Sequence, residues 1–234
     1  MPVTYVPPGG REVASKTSKS TEVFETIKRA IMLGEIPVGA QLLELELAEQ
    51  FNCSQGPVRE ALLNLQDEGL VNRMAHRGTR VSDCTRAEAE DMFRIRHGIE
   101  TRGIVRSLER INPRTVDALK SLTSSMEDAA AAEDEYLLSE QDRAFHRQLF
   151  STADLPAVEP ILHRCILHNH RFKIIHSGEQ RDLIETARRH WSIIQAIEDR
   201  DPEKASEAIG HHVATIFDFG PAVFDRPAPK RMQA

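Results

Sequence analysis

The sequence of 234 residues contains few cysteines, and none are paired at a spacing typical of metal sites. Its three cysteines, Cys53, Cys84 and Cys165, are scattered and odd in number, which argues against a disulfide framework and is typical of a reducing compartment. No apolar run approaches the roughly 18 residues of a membrane span, and the N-terminus lacks the hydrophobic region of a signal peptide. We therefore expect a cytoplasmic protein with no membrane partner.

The sequence also lacks an excess of positive charge, since its formal net charge is -6 and its pI is near 5.9. That balance argues against a nucleic-acid partner. The charges are unevenly distributed, however. Acids concentrate in segments such as Glu127–Glu140, whereas Arg73, Arg77 and Arg80 have no acid between them. A local basic patch can bind phosphates even on an acidic protein, with an affinity that falls as salt rises.

The length and the hydrophobic content of 40% are sufficient for two modest domains. Residues 1–18 contain Pro7-Pro8-Gly9-Gly10 and no apolar period, so we predict a disordered N-terminal arm. We assign residues 19–82 to a first domain and residues 85–220 to a second, helical domain. Residues 221–234 contain three prolines and are expected to form a loose tail.

The stretch between Ser54 and Gly69 predicts one short helix. Ser54 can cap it, Pro57 falls in its first turn, and Gly69 can end it in the left-handed conformation. The i, i+3, i+4, i+7 rule predicts a buried stripe of Val58, Ala61, Leu62 and Leu65. Gln55 and Arg59 lie four apart and off this stripe, so they share an outward face available for recognition.

Further elements are predicted on both sides of this helix. Ser20 or Thr21 can cap a first helix through Leu33, a short strand is predicted at 41–43, and a second short helix at 44–51. Two strands, at 70–74 and 79–81, follow. Together these elements predict a winged helix-turn-helix, which suits DNA phosphates and grooves. The alternative is that Arg59 and the wing arginines form only a solvated face and that the helix pair is generic packing.

The run from Ile31 to Val81 resembles the GntR family of bacterial winged-helix regulators. The resemblance rests on Ile31–Gly39, Leu47–Glu49, Pro57–Leu62 and Glu68–Val71, followed by a wing that contains glycine. It implies that operator DNA is contacted by helix and wing-tip residues, namely Ser54, Gln55, Gly56, Arg59, Arg77 and Gly78.

Two positions depart from this family's pattern, since Leu45 and Gln55 stand where relatives often have arginine. Glutamine favours adenine edges whereas arginine favours guanine. We therefore expect an operator sequence that differs from the family's usual one.

From Thr85 onward the sequence is almost entirely helical in pattern. We predict six helices, separated by breaks such as Ile111-Asn112-Pro113 and Asp201-Pro202, over Arg86–Glu109, Pro113–Glu133, Tyr136–Ser151, Pro156–His176, Arg181–Arg200 and Pro202–Phe219. The expected fold is mainly α, with a winged helix-turn-helix followed by an all-α antiparallel six-helix bundle. Facing helices of such bundles commonly build ligand and metal sites.

Several histidines of the bundle are spaced for convergence. Asp142 and His146 emerge from the same helix face one turn apart, which is a usable half-site for a divalent metal. His190 and His212 lie among apolar positions of their own helices and should face the core. Three imidazoles and one carboxylate can therefore meet at one ion. Alternatively, these residues are packing groups, because the chain holds ten histidines and a core histidine is more often hydrogen-bonded than ligating.

Residues Thr85–Phe219 resemble the effector domain of the FadR-type branch of the GntR family, the FCD domain, in its six-helix subgroup. The resemblance rests on Arg94-Ile95-Arg96 with Glu100, Asp142–His146 with Leu149, and His190–Ile197 with His212. It implies a divalent metal, expected to be zinc with nickel or manganese as alternatives. The implied ligands are Asp142, His146, His190 and His212, with the adjacent His211 less favoured by helix phase.

In such domains the metal and nearby cations bind the carboxylate of a small organic acid. Arg96 resembles the arginine that pairs with this carboxylate, a role that suits a guanidinium fork. The alternative for Arg96 is an i, i+4 ion pair with Glu100. His168, His170 and Arg171 either line the same cavity or belong to a polar helix surface.

These features predict a homodimeric, ligand-responsive transcription regulator of the bacterial cytoplasm, a repressor rather than an activator. It is expected to bind a pseudopalindromic double-stranded operator and a small carboxylate effector. One rival is a metal-dependent hydrolase or lyase whose metal activates water, although His-Glu-x-x-His is absent and no general base stands out. Another is a metal-ion sensor, in which the dissociable metal alone controls DNA binding.

Overall fold

The computed structural model describes residues 18–74, 78–176 and 182–215. The predictions for the N-terminal arm up to residue 17, for Arg77, for residues 216–219 and for the C-terminal tail lie outside these ranges. The described residues divide into two compact units. The first comprises residues 18–74 and 78–84 with Ile174–His176, and the second comprises residues 85–173 and 182–215. Within the described ranges, no helix is both long and apolar enough to cross a membrane.

The first unit contains three helices and three short strands among its described residues. In chain order they are α1 (Lys19–Met32), β1 (Gln41–Leu42), α2 (Glu44–Gln50), α3 (Gln55–Asp67), β2 (Val71–Met74) and β3 (Gly78–Val81). The predicted stripe of α3 is confirmed, since Val58, Ala61, Leu62 and Leu65 are all fully buried. They pack against α1, whose own buried face includes Val23 and Ile27.

Two predicted helix starts differ in detail from the structure. Helix α1 is capped by Ser18, whose hydroxyl accepts from the Thr21 amide, rather than by Ser20 or Thr21. Ser20 is buried inside the first turn and so cannot cap. Ser54 does occupy the N-cap position of α3, but its side chain makes no capping hydrogen bond. The Ser54 hydroxyl therefore does not cap the N-terminus of α3.

The strands form an antiparallel sheet in the order β1-β3-β2. Gly78 opposes Met74 at the end of the wing and has a φ of +76°, a conformation that favours glycine. Arg73 pairs with Thr79 and Asn72 pairs with Arg80. Because side chains alternate between faces along a strand, Arg73 and Arg80 lie on opposite faces of the sheet. Arg73 and Arg80 therefore do not form one continuous patch.

The second unit is helical throughout its described elements. These are α4 (Arg86–Leu108), α5 (Pro113–Ala131), α6 (Glu135–Ser151), α7 (Glu159–His176), α8 (Leu183–Arg188), α9 (His190–Glu198) and α10 (Pro202–Ala214). All six predicted regions are helical, although the region 181–200 is divided at Arg189 into α8 and α9.

The division between α8 and α9 coincides with side chains that contact the backbone. The ring Nδ1 of His190 lies 3.0 Å from the Ala187 carbonyl oxygen, and the Ser192 hydroxyl donates to the Arg189 carbonyl oxygen. Such side-chain bonds compete with the regular helical hydrogen bonds. The break places His190 at the start of α9.

The core of the second unit lies between α4, α5, α6, α9 and α10. Helix α5 packs on α6, and α4 packs on α10. The start of α4 is fixed by a capping box, in which Thr85 and Glu88 satisfy each other's backbone amides. This packing places a polar cluster inside a mostly apolar interior. The larger apolar residues of that interior include Ile104, Leu119, Met126, Phe145, Ile193 and Ile209.

Candidate functional site

Four side chains that could hold a metal meet inside the second unit. They are Asp142, His146, His190 and His212, and one potential ligand atom from each lies within 4.8 Å of the others. All four are buried, with at most 4% of any residue exposed. The structure therefore brings together the complete set that the sequence nominated as metal ligands.

The helices explain how these side chains converge. Asp142 and His146 project from one face of α6, and His190 begins α9. On α10, His212 is buried whereas His211 is exposed. Helix phase thus directs His212, and not its neighbour, into the cluster.

Hydrogen-bond partners fix which ring nitrogen of two histidines faces the centre. His190 Nδ1 lies 3.0 Å from the Ala187 carbonyl oxygen, which can only accept, so the proton belongs on Nδ1. His146 Nδ1 similarly lies 2.8 Å from Glu100 Oε2. In both rings the Nε2 atom is left with its lone pair towards the cluster, as a metal ligand requires.

The inward-facing atoms lie close together, and those of His190 and Asp142 are both acceptors. His190 Nε2 lies 3.1 Å from Asp142 Oδ1, and His146 Nε2 lies 3.2 Å from His212 Nε2. Buried acceptors without a donor between them are costly. A divalent cation at the centre would satisfy all of them at once, so these residues fit a metal by their donor chemistry as well as by their proximity.

The protonation states also suit a metal. Burial by itself raises the pKa of Asp142, but His170, His190 and His146 lower it more, so the carboxyl remains ionised. Burial lowers the pKa of His212 well below its usual value, and nearby His190 and His146 add to the effect. A carboxylate and a neutral imidazole are the forms that ligate metals.

Arg96, the predicted carboxylate-binding residue, lies beside this cluster and is fully buried. Its Nε donates to Glu100 Oε1 at 2.6 Å, so the predicted ion pair with Glu100 is present. Its Nη2 lies 2.9 Å from His146 Nε2, so the guanidinium is adjacent to the four candidate metal ligands. Arg96 Nη1 has no hydrogen-bond partner among the described residues.

Glu100 links Arg96 to His146, a role that the sequence pattern did not reveal. One carboxylate oxygen contacts Arg96 and the other lies near His146. Burial raises the pKa of Glu100, but the charge of Arg96 and the contact with His146 outweigh that effect and lower the pKa to about 2. Glu100 is therefore ionised, and it lies next to His146, one of the four candidate metal ligands. Its spacing from Arg96 was visible in the sequence, but its contact with His146 was not.

His170 is a second residue whose place could not be assigned from sequence. Its Nε2 lies 3.0 Å from Asp142 Oδ2, and burial lowers its pKa to about 4 despite the nearby carboxylate. His168 and Arg171, on the same helix, are also buried, so the expectation of a polar helix surface here is wrong. Helix α7 instead carries polar side chains into the interior, a pattern without apolar periodicity.

The residues nominated for DNA contact lie in the first unit. Ser54, Gln55, Gly56 and Arg59 are exposed at the N-terminal end of α3, and Gly78 is exposed at the start of β3. Arg77 lies outside the described residues. The outward face predicted for α3 is thus present, and the fold places it near the wing strands.

Arg59 and Arg73 share an acidic partner that the sequence pattern did not reveal. Glu44 Oε2 accepts from Arg59 Nε and Nη2 at 3.1 and 2.9 Å, and Glu44 Oε1 accepts from Arg73 Nη2 at 3.0 Å. Arg80 instead donates to the Gly39 carbonyl oxygen at 2.9 Å. The wing segment has no acid of its own, yet α2 supplies one to it.

Comparison with protein families gives two matches that together span most of the described chain. Residues 19–81 match the model described as "Bacterial regulatory proteins, gntR family". Residues 91–215 match the model of the FCD domain. The first match contains the nominated DNA-contacting residues, and the second contains the buried cluster and Arg96.

Individual relatives match this chain along most of their length. The chain is 28% identical over 201 residues to a protein of Paenarthrobacter nicotinovorans named "Probable D-xylose utilization operon transcriptional repressor", covering 86% of this chain and 88% of the relative. It is 24% identical over 195 residues to the transcriptional repressor RspR of Escherichia coli K12, covering 83% and 86%. The solved structure of E. coli McbR superposes with a TM-score of 0.70 at 20% identity, covering 84% of this chain and 94% of McbR. That last similarity shows the shared fold.

Proposed function

The chain belongs to the GntR family of bacterial regulatory proteins and carries an FCD domain, and from that premise we propose an acid-responsive repressor with a metal centre. As a member of this family it is a DNA-binding transcriptional regulator and not a hydrolase or lyase. The proposal adds a homodimer on a pseudopalindromic operator in the bacterial cytoplasm. A small carboxylate would be the signal.

The DNA-reading surface we propose is the exposed N-terminal end of α3 together with the wing. Gln55 and Arg59 have side chains of the types that read base edges in the major groove. Ser54 and the amides at the start of α3 suit phosphate contacts, as do Arg77 and Gly78 at the wing tip. Two copies of the surface in a dimer would read two half-sites.

The observation that carries the sensing part is the convergence of four ligand-type side chains next to a buried arginine. Asp142, His146, His190 and His212 would hold the ion, and a nitrogen-rich set with one carboxylate suits zinc, with nickel or manganese as alternatives. When bound, the ion supplies a Lewis-acidic position for an oxygen of the effector. Glu100 and the Ala187 carbonyl orient His146 and His190 for this task.

Arg96 would bind the effector's carboxylate. Its guanidinium lies at the edge of the ligand set, and Nη1 has no partner among the described residues. A buried guanidinium held by Glu100 is preorganised, so little side-chain freedom is lost when the acid binds. Carboxylate oxygens accept paired hydrogen bonds from a guanidinium, whereas sugar hydroxyls carry no negative charge, which is why we favour an acid.

The proposal requires that acid and operator affect each other's binding. Linkage makes this effect reciprocal, with a useful coupling of about 1–3 kcal/mol, or roughly 5–150-fold in affinity. A metal-ion sensor, the second reading, would respond to metal alone and ignore every acid.

A thermal-shift experiment separates these readings. Chelator-stripped full-length protein is melted with and without zinc, and then with zinc plus a panel of monocarboxylates, dicarboxylates and aldonic acids. Free D-xylose serves as the neutral control, chosen because one relative's name refers to its use. A stabilisation by one acid class that requires zinc supports the proposal, since stabilisation grows as RT ln(1 + [L]/Kd). A response to zinc but to no acid favours the metal sensor.

A further inference from the structure

Glu44 lies between the two arginines through which the first unit would approach DNA. It is the first residue of α2, and its carboxylate reaches Arg59 on α3 and Arg73 on β2. Arg59 and Arg73 lie 15 and 29 residues from Glu44 in the sequence, so the packing of these elements brings the three side chains together. One carboxylate thereby connects the recognition helix with the wing.

The geometry of the Arg59 contact leaves the DNA-binding edge of the guanidinium open. Glu44 Oε2 accepts from Nε and Nη2, which form the side edge of the group. The end edge, formed by Nη1 and Nη2, is the one that makes paired hydrogen bonds to guanine or phosphate. The Arg59 side chain is 56% exposed, and its Nη1 makes no contact with Glu44.

Neither folding stability nor the attraction of DNA phosphates explains a carboxylate at position 44. Ion pairs near the surface contribute little to folding stability. A carboxylate beside DNA-facing arginines also repels phosphates, so charge alone would favour its absence. What the contact does provide is order, because an arginine side chain has many rotamers and its fork is most effective when its direction is fixed.

We propose that Glu44 is a positioning residue for sequence reading: it holds the Arg59 guanidinium against α3 and ties it to Arg73 of the wing. The groove of about 440 Å³ beside it, lined by Glu44, Arg73, Met74 and Gly78 among others, gives the wing side of this arrangement space for a DNA backbone. This inference rests on the proposed DNA-reading surface. It concerns how that surface discriminates between sequences.

The test compares specific and non-specific DNA binding by full-length protein. The specific probe is a duplex selected on the wild-type protein from a random-sequence library, and the second probe is a scrambled duplex of equal length and composition. Fluorescence anisotropy gives both dissociation constants for the wild type, Glu44→Gln and Glu49→Gln. Glu49 is the matched control, because it is exposed on the same helix and its substitution changes the charge equally.

The two explanations of Glu44, a positioning residue or a simple surface charge, predict opposite changes in binding of the selected duplex. If Glu44 positions Arg59, Glu44→Gln binds the selected duplex about tenfold more weakly while binding the scrambled duplex at least as tightly as wild type. Glu49→Gln should bind both duplexes as tightly as wild type or slightly more tightly. If Glu44→Gln instead matches Glu49→Gln on both probes, the carboxylate is only a surface charge and the inference is wrong.

A second variant, Glu44→Asp, keeps the negative charge on a shorter side chain. Glu44→Asp shortens the side chain, so the contacts with Arg59 and Arg73 cannot both persist, and specificity should fall although the net charge is unchanged. Wild-type specificity in Glu44→Asp would overturn the inference. Arg59→Ala tests the underlying surface separately, because undiminished binding of the selected duplex by that variant would refute the DNA role of Arg59 itself.

Discussion

Glu100 Oε2 lies 2.8 Å from His146 Nδ1, on the side of the ring that faces away from the buried ligand set. The same carboxylate holds Arg96 through its other oxygen. A single anion thus orients one proposed metal ligand and one proposed effector ligand. This shared partner is a physical route by which metal and acid binding would depend on each other.

Replacement of Glu100 by Gln should therefore weaken the metal site. The neutral amide is a weaker acceptor for the His146 Nδ1 proton than the carboxylate, and changes of this kind typically cost about 10–100-fold in metal affinity. Competition between a chromophoric chelator and the protein for zinc measures the effect. Glu207→Gln, an exposed change on α10, is the control and should leave zinc affinity unaltered. Equal affinities in the two variants would rule out the orienting role.

The neighbouring histidines of α10 provide a matched pair for the metal ligands. His212→Ala should lose the zinc-dependent rise in melting temperature, whereas His211→Ala should keep it, because only His212 faces the cluster. At a metal concentration of about 100 Kd the lost stabilisation is about 2.7 kcal/mol. The measurement is the difference between zinc-loaded and chelated melts of each variant, which cancels the packing defect. A zinc response retained by His212→Ala contradicts the ligand assignment.

Arg96→Lys should abolish the response to acid while sparing the response to zinc. Lysine keeps the positive charge next to Glu100 but lacks the planar fork that pairs with a carboxylate. Arg94→Lys, two residues away and only partly buried, is the control. Isothermal titration of the zinc-loaded variants with the stabilising acid should show at least about tenfold weaker binding for Arg96→Lys alone, roughly the 1.4 kcal/mol of one charge-assisted hydrogen bond. Unchanged acid affinity would exclude Arg96 from the site.

Gln55→Arg should change which base is preferred at one position of each half-site. Glutamine pairs with adenine and arginine with guanine, and each such pairing discriminates by about 1–3 kcal/mol. Selection of duplexes from a random library by the wild type and by the variant measures the change directly. Identical selected sequences would mean that Gln55 does not contact a base.

Local patterns were enough to predict most of the elements. The apolar stripe of α3 and the burial of His212 follow from helical periodicity, which depends only on neighbours in sequence. The i, i+4 spacing likewise placed Asp142 and His146 on one face. The full ligand set was nominated from the resemblance to the FCD domain, because helix spacing alone left open that these residues are packing groups.

The contacts between elements were not predictable in the same way. Glu44 reaches Arg59 and Arg73 only because α2, α3 and β2 pack together. His170 reaches Asp142 from another helix, and the polar interior face of α7 has no apolar period to reveal it. The break at Arg189 depends on the His190 side chain bonding to a backbone carbonyl. Each of these depends on tertiary approach, about which sequence spacing says little.

The central claim is that a carboxylate bound in the FCD domain changes the affinity of this regulator for its operator. The most direct test titrates the selected duplex with zinc-loaded protein, with and without the acid that gives the largest thermal stabilisation. Our account predicts operator dissociation constants that differ by about 5–150-fold, with the operator altering acid affinity by the same factor. Operator dissociation constants that coincide with and without saturating acid would contradict it.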